Sequence, residues 1–237
     1  MRPLLLSLVL SCLVFASSCV PETSAVSPAT GTTSGAVKTE KIRSAAEYRR
    51  MEADLSQAAL LGDARAAFLL GMLYASPAVL DDGSTIPARP KKARKYLEDA
   101  LNGGIGLAAL ELAMLEVKSG SPANGLHAID RAFETTQMAD PDRIVLATQF
   151  AAIVLDYFPK EKRAVEKAAA RLESAIHGKD VPTAAYLLAN LYRVEGEMDR
   201  ANRFLNRACQ SDKAPDELRK MCFNSKLYDI EPIKEGK

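Results

Sequence analysis

Four times between Ala67 and Ala208 the chain repeats one arrangement of small and large apolar residues, over a period too long for any single helix or strand to satisfy. Ala67, Leu70, Gly71, Leu73 and Tyr74 share one face of a helix, at i, i+3, i+4, i+6 and i+7. That face returns at Ala109, Leu112, Ala113 and Leu115, at Ala147, Phe150, Ala151 and Ile153, and at Ala185, Leu188, Ala189, Leu191 and Tyr192. The leading alanines stand 42, 38 and 38 residues apart. A second face follows each first one, at Ala93, Tyr96, Leu97 and Ala100, then Gly125, Ile129 and Ala132, then Ala168, Leu172 and Ala175, then Ala201, Phe204, Leu205 and Ala208. Two amphipathic faces per fixed period are the signature of stacked helix pairs, because one pair alone cannot bury its apolar side. The expected fold is therefore all-α, a solenoid of about four helical hairpins.

Two segments flank the repeats. Met51, Leu55 and Ala58, within 40–61, predict the second helix of a truncated leading repeat that covers one apolar end of the stack. At the other end Asp216, Leu218 and Met221 predict a short closing helix with Arg219 and Lys220 outward. The interval from Ser76 to Pro90 is a long insertion within the first hairpin, and Pro90 suits the first helical position, where its missing N–H costs nothing. Asp81 and Asp82 before Gly83 lack the alternating ligands of a calcium loop and read as a turn.

The N-terminus, MRPLLLSLVLSCLVFASSC, has one basic residue, a short apolar run and small residues before Cys19, as an export signal does. The run falls short of the roughly 20 apolar residues that span a bilayer. Ala16-Ser17-Ser18-Cys19 resembles the lipobox of bacterial lipoproteins, in which the cysteine is acylated and becomes the mature N-terminus. Val9-Leu10-Ser11-Cys12 also fits but would leave a very short apolar segment, so Cys19 is the expected lipidation site. The resemblance implies a palmitate-bearing anchor. With Val20 in place of a retaining aspartate it also implies the outer membrane, facing the periplasm. The expected organisation is a signal peptide over 1–18, a disordered tether over 19–39 whose Pro, Ser, Thr, Ala and Gly cannot bury enough surface to order themselves, repeats over 40–224 and a tail over 225–237. In an oxidising compartment Cys209 and Cys222 read as a disulfide, the alternative being two buried free thiols.

The formal charge is +1, which falls to zero once Arg2 is removed with the signal; this leaves no electrostatic footprint for nucleic acid. His127 and His177, read as lying in second helices of different repeats, have no second ligand at helical spacing, so no metal site is expected. No phosphate loop, nucleophile elbow or acid pair is present, and no catalytic residue or cofactor is expected. Arg89, Lys91, Lys92, Arg94 and Lys95 place cations in the first turns of a helix, against its dipole; they read as a solvated face, the alternative being a contact with acidic headgroups or an acidic partner.

Leu112, Ala113, Glu116, Gly125, Ile129 and Ala132 fall at the large and small spacing of tetratricopeptide repeats, as do Leu188, Ala189, Tyr192, Ala201, Leu205 and Ala208. GDARAAFLLGMLYA followed by KKARKYLEDALNGG is similar to the Sel1-like subclass. Glu116 and Gly125 depart from the usual aromatic and alanine, which predicts a looser second repeat. The resemblance implies a right-handed superhelix that binds proteins or peptides and rarely performs chemistry. It further implies that residues two before or after each registered leucine line a groove: Phe68 and Met72, Leu110 and Met114, Thr148 and Ala152, Tyr186 and Asn190, with Arg193 nearby. The function so implied is a non-enzymatic scaffold in assembly of an envelope machine such as a secretion system, a pilus or a polysaccharide exporter. The alternative is a periplasmic hydrolase or a modulator of peptidoglycan metabolism.

Overall fold

The computed structural model describes residues 44–225; the segments expected to be a signal peptide, a tether and a tail, with Cys12 and Cys19, lie outside the described residues. The helices gather into two compact units, which among the described residues comprise 44–105 and 106–225.

The first unit opens with α1 (Ala45–Leu60), whose N-cap Ser44 accepts a hydrogen bond from the Glu47 amide at 3.2 Å. Helix α2 (Ala64–Ala75) starts at Asp63, whose carboxylate accepts from the amides of Arg65 and Ala66 at 2.8 and 3.1 Å. Helix α3 (Pro90–Asn102) has Pro90 at its start, as expected. α1 packs on α2 and α2 on α3. The α2/α3 contact is close because Gly71 has no side chain; a Cβ there would lie 2.7 Å from Leu97 Cγ. Around it Ala67, Leu70, Tyr74, Ala93, Leu97 and Ala100 are buried.

The insertion is not a plain loop. It forms a two-stranded antiparallel hairpin, β1 (Ala78–Val79) and β2 (Thr85–Ile86), pairing Ala78 with Ile86 and Val79 with Thr85. Buried Leu80 pins it to the unit, and Gly83 turns it with a φ of +80°. At its tip Asp82 accepts hydrogen bonds from the Ser84 amide and hydroxyl at 2.8 and 2.6 Å, the self-contained turn expected of Asp-Asp-Gly.

The second unit holds α4 (Ala108–Lys118), α5 (Pro122–Thr135), α6 (Asp140–Tyr157), α7 (Lys162–Ala175), α8 (Pro182–Glu195), α9 (Met198–Gln210) and α10 (Asp216–Ser225). Consecutive helices pack as hairpins, and α6 also lies against α8. The leading alanines of all four repeats, Ala67, Ala109, Ala147 and Ala185, are buried, as are Leu112, Ile129, Leu172, Leu188 and Ala208. Proline opens α5 and α8, and left-handed Gly196 ends α8.

The second repeat is not loosened at Gly125. A Cβ there would come within 3.1 and 3.2 Å of the Ala113 oxygen and Cα, so the missing methyl brings the α4 and α5 backbones into contact. Glu116, the other departure, is buried at 6% exposure. His177 also differs from expectation: α7 ends at Ala175, and His177 is exposed in the turn that follows. His127 is exposed on α5.

Helix α10 docks on α9 through buried Ala214, Leu218 and Cys222, and a disulfide joins Cys209 to Cys222 with their Cα atoms 5.6 Å apart. Arg219 and Lys220 face outward.

Candidate functional site

Apolar residues that the repeat core does not absorb are the material for an interaction surface. In the first unit Phe68 is half-buried on α2 and Met72 is 36% exposed. In the second, Leu110 and Met114 on α4 are half-buried, as are Tyr186 and Asn190 on α8, while Arg193 is exposed. Thr148 and Ala152 do not line a surface. They are buried at 6% and 0% exposure, because α6 is enclosed by α7 and α8 and its small residues permit that approach.

The strongest concavity among the expected residues lies between α6 and α8. It is an open cleft of about 360 Å³ lined by Leu155, Asn190, Arg193 and Val194. Asn190 donates from Nδ2 to the Tyr186 carbonyl at 2.9 Å, which fixes its amide. The Arg193 side chain makes no ion pair or hydrogen bond among the described residues. The last turns of α6 and α8 line this cleft together, and α9 begins after two intervening residues, so three helix ends lie close to it. At these helix ends stand Tyr157, Val194 and Met198, exposed at 41%, 45% and 52%. Sequence reasoning named Asn190 and Arg193 but missed Leu155, Tyr157, Val194 and Met198. The readable signal was an apolar residue in the last turn of a helix, outside the registered face, for Leu155, Tyr157 and Val194, and at the first position of one for Met198.

A second concavity, of about 570 Å³, runs along α7 past Ala170, Glu173, Ser174 and His177. A serine, a histidine and a carboxylate together invite a hydrolytic reading, but a nucleophile needs a base within hydrogen-bond reach and an orienting group beyond it. No hydrogen bond joins Ser174, His177 and Glu173 among the described residues. Glu173 instead accepts from the Tyr192 hydroxyl at 2.7 Å and from Arg200 at 2.8 Å, with the Arg200 guanidinium 4.0 Å over the Tyr192 ring. Burial, and then Glu173, push the Tyr192 phenol upward, so it stays protonated and donating.

The same knot occurs in the first unit. Glu52 of α1 accepts from the Tyr74 hydroxyl at 2.6 Å and from Arg89 at 2.5 Å, and Arg89 lies 5.5 Å over the Tyr74 ring. Burial raises the Glu52 carboxyl, but Tyr74 and Arg89 more than offset this and hold it below its ordinary value; the Tyr74 phenol is pushed up to about 12, chiefly by burial. Both knots tie one second helix to the next hairpin, which puts ionisable groups to a structural use. Asp130 of α5 meets Lys167 at 2.7 Å and also Arg171, both on α7. Among the described residues no three His, Cys, Asp or Glu side chains are grouped to hold a metal ion, and no helix is long and apolar enough to cross a membrane.

No family model matches the chain, and no curated protein does. Among solved structures it is similar to YrrB, described as a TPR protein with an unusual peptide-binding site, at 20% identity and a TM-score of 0.50, over 77% of this chain and 84% of that one. That likeness establishes the fold, a tetratricopeptide-like, all-α repeat.

Proposed function

We propose that the protein is a non-enzymatic interaction scaffold, anchored through acylated Cys19 to the outer membrane and facing the periplasm, where it serves assembly of a cell-envelope machine. The observation that carries the reading is the α6/α8 cleft, which sets an Arg193 side chain without an ion pair among the described residues beside apolar Leu155 and Val194. An extended segment presenting one apolar side chain and one carboxylate fits that chemistry: the apolar group fills the cleft and Arg193 takes the carboxylate in a charge-assisted hydrogen bond. The peptide-binding site in the description of YrrB supports the same use of this fold. Phe68 and Met72 in the first unit, and Leu110 and Met114 in the second, offer further adaptable apolar contacts.

Arg193→Glu combined with Val194→Asp is expected to remove the main protein crosslinked in intact cells and to weaken its binding about tenfold or more. Helicity and melting temperature should match the wild type, since both side chains are exposed. Retention of the partner by the double variant overturns the assignment. The anchor has its own test: Cys19→Ser is expected to abolish palmitate labelling and release the protein from membranes, and a wild type that takes up no label rejects the anchor.

A further inference from the structure

The end of the first unit at which the chain enters from residues 1–43 is basic. Helices α1 and α3 are parallel, each being antiparallel to α2, and the Glu52–Tyr74–Arg89 knot brings the N-terminal half of α1, the end of α2 and the start of α3 together. Arg49 and Arg50 on α1, with Lys91, Lys92 and Lys95 on α3, are all exposed there, and none makes an ion pair among the described residues. The Lys92 ammonium sits 5.2 Å over the Tyr74 ring and that of Lys95 5.5 Å over the Tyr96 ring. The carboxylates nearest these cations are the knotted Glu52, Glu47 and Asp54 on α1, Glu98 on α3 and the hairpin-tip pair Asp81 and Asp82, with Asp82 already turned onto Ser84. Lys92 and Lys95 gain from the rings beneath them, and Lys92 also favours the Glu52 carboxylate, whereas Arg49, Arg50 and Lys91 make no ion pair among the described residues. The cations in the first turn of α3 oppose its dipole, and its N-cap residue Arg89 supplies no side-chain cap. All five charges remain exposed and able to meet an external anion.

We infer that this end is a docking surface for anionic phospholipid headgroups, which lays the first unit against the bilayer and sets its orientation. The choice of a lipid surface rests on the proposed Cys19 anchor, because Ser44, where the connection to that cysteine arrives, begins the helix that bears Arg49 and Arg50. Cations close to an anionic membrane each strengthen binding severalfold, and the effect fades within a Debye length of about 10 Å at 0.1 M salt. Five cations presented at one end suffice to bias orientation, while the acyl chains hold the protein in place.

The test uses the chain from Val20 to Lys237 without its acyl groups, so that headgroup binding is read apart from anchoring. Partition into vesicles of phosphatidylcholine with phosphatidylglycerol is expected to exceed that into phosphatidylcholine alone by about 100-fold at low ionic strength and to fall as salt is added. Lys91→Glu, Lys92→Glu and Lys95→Glu together should remove the difference at unchanged helicity. Equal partition into both vesicles, or a preference that survives the three reversals, overturns the inference. So does a wild type indifferent to phosphatidylglycerol whose triple variant loses an acidic polypeptide from its crosslinks, which assigns the surface to a protein. Palmitate labelling of Cys19 reads the anchor separately: headgroup binding in a protein without label upholds the surface and rejects the anchor.

Discussion

Leu188→Ala is expected to lower the unfolding free energy by about 2 to 5 kcal/mol. Leu188 is 0% exposed on α8, a helix enclosed by α6, α7 and α9, with Leu187, Ala189 and Leu191 also buried around it. Truncation removes the transfer free energy of the lost carbons and leaves a cavity between helices that are already in contact, so relaxation recovers little of it. Met198→Ala, at a side chain 52% exposed, supplies the control and should change stability by no more than about 0.5 kcal/mol. Urea unfolding of both variants with the Cys209–Cys222 bond intact makes the comparison. A loss below about 1 kcal/mol at Leu188 would mean that the repeat register has been read one position out.

That register was legible because it is local and periodic. Ala67, Ala109, Ala147 and Ala185 are small where helices approach, and the leucines three residues after Ala67, Ala109 and Ala185 fill the space beside them, so spacing alone names the core. Pro90, Pro122 and Pro182 mark helix starts and Gly196 a helix end for stereochemical reasons that need no neighbours. What stayed hidden depends on how closely neighbours come. Two-residue strands carry no periodicity, so the β1/β2 hairpin could not be seen in Ser76–Pro90. Thr148 and Ala152 have the spacing of surface positions, yet α7 and α8 close over them. Gly125 looks like a packing defect in the sequence and proves to be a point of backbone contact with Ala113. The Glu52–Arg89 and Glu173–Arg200 pairings span 37 and 27 residues, distances over which no local pattern selects a partner. Half of the candidate cleft was legible for the same reason: Asn190 follows from the register and Arg193 stands one turn beyond it, whereas Leu155 and Val194 are defined by where two neighbouring helices end.

Gln149→Leu is expected to stabilise the protein by about 1 to 3 kcal/mol, the penalty of a buried polar group that lacks a partner. Gln149 is 0% exposed on α6, and neither its amide nitrogen nor its oxygen has a hydrogen-bond partner among the described residues. It stands two residues after the leading Ala147, and the same position after Ala185 is Leu187, 1% exposed. The repeat therefore already accepts leucine there, and leucine matches glutamine closely in size, so the exchange removes the desolvation penalty without opening a cavity or forcing a rotamer. Gln149→Ala separates volume from polarity. It removes the unsatisfied amide but leaves a void, so it should fall well below Gln149→Leu in stability. Thermal and urea unfolding of the three proteins gives the order directly. If Gln149→Leu is instead the less stable protein, the amide is bonded in solution through an internal water and belongs to a polar network inside the third repeat.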